Sequence, residues 1–235
     1  MSRDEVAVVT GASRGIGRGI ARKFAREGYN VVLFGRDIAA LKNVKEEVKS
    51  FGVNADSFSG DASNADFVND SVDKVINHYG KVDHLVNNAG MAIKKKVIDS
   101  SLEDFMKQID VNLYGLFNFT KAVLPSMIER RNGSIINIIS LAGKNPLSPG
   151  ALYSASKHAA LGFTKSLLLE VREYNIRVAA ICPGSVDTTF SISSNDVLNE
   201  KKLQPEDVAE TVLAVIKLPA RALLSEVDLR PTNPK

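Results

Sequence analysis

Short apolar runs recur along this chain, separated by longer stretches whose apolar residues fall three and four positions apart. The runs at 6–10, 31–34, 56–59, 84–87, 134–140 and 177–181 read as six β-strands, with a seventh expected within 222–229. Between them, helical patterns begin near Ile16, Ile38, Ala65, Leu102, Tyr153 and Pro205, the last with proline where a first helical turn tolerates it. Val6-Ala7-Val8-Val9 and Ile135-Ile136-Asn137-Ile138-Ile139 are apolar at odd and even positions alike. A strand covered by helices on both faces has that character, so these belong in the middle of a sheet. Regular alternation of strand and helix predicts a doubly wound α/β fold with a central parallel sheet of about seven strands, and residues 1–235 read as one domain.

Composition narrows the function classes. With 44% hydrophobic and 24% charged residues, the balance is that of an ordinary globular protein. The net charge of +3 comes from 30 basic and 27 acidic residues spread along the whole length. A nucleic-acid binder concentrates its basic residues in a stripe, so no nucleic-acid partner is expected. The single Cys182 permits no internal disulfide. His78, His84 and His158 are scattered without partner cysteines or carboxylates, and no metal site is expected. Neither a signal segment nor a bilayer-spanning apolar stretch is visible, which gives a cytoplasmic expectation with no membrane partner.

Between the first strand and the first helix lies Thr10-Gly11-Ala12-Ser13-Arg14-Gly15-Ile16-Gly17. Such a turn lets backbone approach a pyrophosphate and aims helix N–H groups at it. The second strand then runs into Gly35-Arg36-Asp37, where an acidic residue would select a ribose 2′-hydroxyl and a guanidinium a 2′-phosphate. Arg36, with Arg14 in the turn, favours NADP(H); Asp37 leaves the other choice open. Asp61 and Asn87-Asn88-Ala89-Gly90 close the third and fourth strands, the end of an open α/β sheet where ligands bind. Asp61 reads equally as a helix cap or Asx turn. The asparagine segment reads as a brace for its own turn, with Gly90 beside the cofactor.

Tyr153 and Lys157 stand four apart and share a face if the segment after Pro149-Gly150 is helical. A phenol titrates near 10, and a neighbouring ammonium favours the phenolate. The pair, helped by a nicotinamide that is cationic when oxidised, therefore predicts an acidified tyrosine competent as general acid or base. Ser140, ending the very apolar fifth strand, is placed to bond a substrate carbonyl at the same crevice.

These motifs together resemble the short-chain dehydrogenase/reductase family, in its single-domain, NADP(H)-preferring form with a Rossmann fold. The glycine turn, Asp61, Asn87-Asn88-Ala89-Gly90, Asn112, Ser140, Tyr153, Lys157 and Pro183-Gly184 fall in family order across essentially the whole chain. The resemblance implies a catalytic tetrad of Asn112, Ser140, Tyr153 and Lys157. In it Tyr153 gives the proton, Ser140 holds the carbonyl oxygen, Lys157 binds the nicotinamide ribose, and Asn112 supports a water. It further implies that Gly11, Ser13, Arg14, Gly15, Ile16, Gly17, Arg36, Asp61, Asn88, Ala89, Gly90, Pro183, Gly184, Val186 and Thr188 contact the cofactor. Thr188 would bond the carboxamide, and Ile138 would line the ring beside Val186.

The expected activity is NADPH-dependent reduction of a ketone or aldehyde, a small-molecule carbonyl substrate. Residues 184–203, rich in Ser, Thr and Asn, would be its lid. Family analogy implies a homodimer or homotetramer. One alternative is a 3-oxoacyl-acyl-carrier-protein reductase with Arg130, Arg131 and Arg172 facing the carrier. The Asp-Gly-Gly ending common in that group is missing from Asp228-Leu229-Arg230-Pro231-Thr232. Another is a non-catalytic NADP-binding redox sensor, whose expected broken tetrad is absent.

Overall fold

A computed structural model describes residues 4–188 and 201–233. Seven strands form one sheet: β1 (Val6–Thr10), β2 (Asn30–Gly35), β3 (Ala55–Ser59), β4 (His84–Asn87), β5 (Gly133–Ile138), β6 (Ile176–Pro183) and β7 (Glu226–Leu229). Their order is β3-β2-β1-β4-β5-β6-β7, with every neighbouring pair parallel. The chain steps from β1 to one side for β2 and β3, then crosses back to lay β4 on the other. That switch point opens a crevice at the strand C-termini.

The helices are α1 (Gly15–Arg26), α2 (Ile38–Lys49), α3 (Ala65–Tyr79), α4 (Leu102–Ile109), α5 (Gly115–Arg130), α6 (Ala151–Val171) and α7 (Pro205–Lys217). Alternate strand residues sort onto two cores. Ala7, Val9, Val31, Leu33 and Ile136 pack with α1, α2 and α7, while Val8, Val32, Phe34, Leu85 and Ile135 pack with α3, α5 and α6. Burial on both faces is what the continuous apolar runs record, and each such Val, Leu or Ile contributes roughly 1.5–3 kcal/mol.

Two differences from the sequence expectation bear on the site. The fifth strand ends at Ile138, so Ser140 lies beyond it at φ +156° and ψ 155°, a backbone region nearly confined to glycine. The pattern starting near Leu102 is two helices, joined by a five-residue π-turn, Asp110–Tyr114. Asn112 in that turn is buried. Its Oδ1 accepts from Met91 N at 2.8 Å, and its Nδ2 donates to Met91 O and to Ser156 Oγ, each at 2.9 Å. The widened turn satisfies a buried carboxamide completely while tying the β4–α4 loop to α6.

Of the expected lid, residues 189–200 lie outside the described residues. Its flanks are joined: Val186 bridges Leu203, with Asp187 N donating to Leu203 O at 2.7 Å and Leu203 N to Ser185 O at 3.1 Å.

Candidate active site

A cleft of about 750 Å³ follows the C-terminal edge of the sheet from the end of β3 to the residues after β7. Gly11, Ser13, Arg14, Gly15, Ile16, Arg36, Asp61, Asn88, Ala89, Gly90, Ser140, Tyr153, Lys157, Pro183, Gly184, Val186 and Thr188 all line it. Two expected site residues stand behind its wall. Gly17 packs so tightly that a Cβ would sit 2.3 Å from the Gly11 carbonyl oxygen. Asn112 is the second, engaged as described above.

The glycine turn is braced from β4. Asn88 Nδ2 donates to Thr10 O at 2.9 Å and Gly11 O at 3.2 Å. Thr10 Oγ1 accepts from Asn88 N and Ala89 N, each at 2.9 Å. Asn88 therefore braces the glycine turn, rather than its own turn as expected from sequence. Gly15 takes φ +53°, and a Cβ there would come within 3.2 Å of Thr188 Cγ2. Thr188 is thus packed over the turn.

The residues present fit a phosphorylated dinucleotide. Asp37, Asn64 and Ser101 cap α2, α3 and α4 with their side chains, whereas Arg14, at the start of α1, makes no side-chain cap. The first α1 amides, with no acidic residue in that turn, are left for an anion. Asp37 Oδ1 accepts from Ala40 N at 3.0 Å, so the carboxylate that left the cofactor choice open is engaged in capping. Arg14 and Arg36 are exposed in the cleft, and no carboxylate among the described residues pairs with either. Asp61 Oδ1 accepts from Ser63 N and Ser63 Oγ, each at 2.9 Å, forming the Asx turn rather than a helix cap.

At the catalytic end, Tyr153 and Lys157 share the buried face of α6. Lys157 Nζ donates to Ile138 O at 3.1 Å. Burial lowers its pKa to about 8, opposed only by the nearby Cys182. Burial also pushes the Tyr153 phenol up, with the Ser140 hydroxyl pulling the other way. This reverses the direction expected from sequence: the protein alone does not acidify the phenol. Desolvation disfavours phenolate and ammonium alike, and the lysine bonds a backbone carbonyl. Ser140 Oγ also accepts from Ala142 N at 3.1 Å, which fixes its hydroxyl in the cleft.

A buried polar chain escaped the sequence reading. Asn87 Nδ2 donates to Thr120 Oγ1 at 3.2 Å and to Asn137 Oδ1 at 2.9 Å, and Asn137 Nδ2 donates to Thr164 Oγ1 at 2.9 Å. It stitches β4 and β5 to α5 and α6 beneath the catalytic face. The signal was an asparagine in the middle of Ile135-Ile136-Asn137-Ile138-Ile139, read as part of an apolar run.

Comparison with known proteins agrees with this geometry. The family model described as short chain dehydrogenase matches residues 5–199. The chain belongs to the short-chain dehydrogenase/reductase family. An uncharacterized oxidoreductase of Staphylococcus saprophyticus is 37% identical over 230 residues, covering 97% of this chain and 98% of that protein. Among solved structures, an alcohol dehydrogenase from the archaeon Thermococcus sibiricus, complexed with 5-hydroxy-NADP, superposes with a TM-score of 0.91. It is 34% identical and covers 97% of each chain. A variant of the actinorhodin polyketide ketoreductase with NADPH gives a TM-score of 0.91 at 34% identity over 100% of both chains. Membership of the family makes this chain an oxidoreductase with a Rossmann-like fold, and among the described residues no helix is long and apolar enough to cross a membrane. Nor does any cluster among them have the composition of a metal site.

Proposed function

We propose that the protein is an NADPH-dependent reductase of a ketone or aldehyde, working as one dinucleotide-binding and catalytic domain with residues 184–203 as its lid. The observation that carries the reading is the cleft shared by the glycine turn, Arg14, Arg36, Ser140, Tyr153 and Lys157. Arg14 and Arg36 would take the 2′-phosphate, and the α1 amides the pyrophosphate. The structural relatives complexed with NADP derivatives or NADPH support that choice.

Bound NADPH supplies hydride to the carbonyl carbon. Ser140 holds the carbonyl oxygen, and Tyr153 passes its phenolic proton to that oxygen as it becomes the alcohol. Burial holds the phenol above its ordinary range, so it stays protonated at neutral pH until the carbonyl oxygen takes the proton. Lys157 binds the ribose hydroxyls and keeps a proton source beside the phenol. Asn112 acts by fixing Met91 and Ser156 around the lysine.

The carrier-protein alternative has less support. Arg130 donates to Asp83 Oδ1 at 3.0 Å and to Val82 O, and Arg131 donates to Glu173 O. These groups gather where β5 begins, opposite the cleft. Self-association has more: Leu102, Met106, Tyr114, Phe117 and Leu169 are exposed on α4 to α6. A homodimer or homotetramer in cytoplasm is the corresponding proposal, checked by light scattering; a monomer at micromolar concentration contradicts it.

The direct test follows NADPH absorbance against a panel of ketones and aldehydes, with NADH in parallel. Turnover with NADPH supports the reading. Tight NADPH binding without turnover on any carbonyl would favour a redox sensor instead.

A further inference from the structure

The charged side chains lining the cleft divide along the sheet. Its carboxylates among the described residues, Asp37 and Asp61, follow β2 and β3 and are engaged in a helix cap and an Asx turn. On the β4–β7 half, where Ser140 and Tyr153 stand, the charged lining residues among those described are Lys94, Lys157 and Arg230, all cationic. Lys157 donates to the Ile138 carbonyl and is assigned above to the cofactor ribose. Lys94 and Arg230 are not needed by the chemistry described above.

The backbone leading to Lys94 is held in place, while its side chain is exposed at the cleft. Gly90 passes so close to the catalytic lysine that a Cβ there would lie 3.6 Å from Lys157 Nζ. Met91 is held at both backbone groups by Asn112, and Ile93 N donates at 3.0 Å to Oε1 of the fully buried Gln108. The next residue is therefore delivered from the catalytic end of the cleft, on a loop fixed at two points. The following lysine has other work: Lys95 Nζ donates to Asp104 Oδ2 at 2.7 Å. Among the described residues no carboxylate pairs with Lys94.

Arg230 comes from the opposite side. Gly184 N donates to Leu229 O at 2.8 Å, and a Cβ on Gly184 would lie 3.3 Å from Leu141 Cδ1 and 3.5 Å from Pro231 Cδ. The chain around Arg230 thus abuts the wall that continues from Ser140. Its guanidinium is 3.5 Å from Asp228 Oδ2, but that carboxylate is shared, because Asp228 Oδ1 accepts from Lys144 at 2.7 Å. Leu141, Pro146 and Leu147 add apolar lining to the same cleft.

We propose that the carbonyl substrate is a small oxo acid whose carboxylate is bound by Lys94, with Arg230 assisting, while its apolar carbons rest on Leu141 and Leu147. This rests on the carbonyl-reductase reading above and names the substrate class for that site. A half-cleft whose charged lining residues, among those described, are all cationic attracts an anion. A neutral ketone would leave Lys94 without use.

The test compares oxo acids of increasing length, such as pyruvate, succinic semialdehyde and levulinate, with their methyl esters as NADPH-dependent substrates. The acid-to-ester ratio of kcat/KM should be well above one for the best chain length. In Lys94→Met this ratio should fall about 10- to 100-fold, mainly through KM, as expected for losing one charge-assisted bond. Lys94→Arg should restore part of it, and Lys95→Met should leave it unchanged. Esters turned over as well as acids by the wild-type protein would overturn the oxo-acid assignment while sparing carbonyl reduction. A ratio unaltered in Lys94→Met would remove Lys94 from substrate binding. No NADPH consumption with any acid, ester or ketone would overturn both readings together.

Discussion

Lys157 Nζ and the carbonyl oxygen of Ile138 are joined by a 3.1 Å hydrogen bond that sets the catalytic lysine against the backbone of β5. The side chain is buried, and its pKa is lowered to about 8 because burial penalises the ammonium. A lysine in the unfolded chain titrates near 10.5. Between these values the unfolded state binds more protons than the folded one, so this group makes stability rise with pH across that window. Below about pH 8 the penalty is complete, at about 3 kcal/mol.

Lys157→Met should therefore be more stable than the wild type at pH 7, by up to about 3 kcal/mol, though inactive. The gap should narrow as pH rises from 8 towards 10. Urea denaturation of both proteins across that range checks it. A gap independent of pH would mean that the lysine does not titrate as its burial requires.

The raised phenol makes a second pH prediction. Reduction uses the protonated Tyr153 and oxidation of the alcohol uses its phenolate, so the oxidative rate should climb into alkaline pH while the reductive rate does not. Initial rates in both directions, measured with saturating cofactor, supply the comparison. Coincident pH profiles would count against Tyr153 as the group that changes roles.

Arg36 carries the cofactor choice. Arg36→Ala should lower apparent NADPH affinity about 10- to 100-fold by deleting a charge-assisted contact, with little change for NADH. Fluorescence titration with both cofactors reads the difference, and an equal loss for both would assign Arg36 a merely structural part.

The brace between β1 and β4 makes a stability prediction. Thr10→Val removes the acceptor for the Asn88 and Ala89 amides, and Asn88→Ala removes the donor to the Thr10 and Gly11 carbonyls. Each should cost about 1–3 kcal/mol and weaken NADPH binding with it. Thermal unfolding with and without NADPH checks both effects.

Strands were legible where burial on both faces left a continuous apolar record: the expected 6–10 and 84–87 coincide with β1 and β4. Most cleft residues were legible because glycine turns and strand ends carry their signals within a few neighbours. Asn112 was not deducible from its surroundings. Asp110-Val111-Asn112 reads as ordinary helix, and the partner that justifies a π-turn, Met91, is 21 residues away. The seventh strand begins four residues later than expected, at Glu226, since an edge strand with a half-buried face has little apolar pattern to mark its start. The direction of the Tyr153 shift was illegible for another reason: spacing on a helix says which groups are near, whereas burial decides which charge the site tolerates.

The central claim is that the Tyr153 hydroxyl delivers the proton in carbonyl reduction. Its most direct measurement is NADPH oxidation by Tyr153→Phe, with NADPH affinity determined on the same protein. The account predicts turnover reduced about 10²- to 10⁴-fold with cofactor affinity retained. Turnover equal to that of the wild type would contradict it.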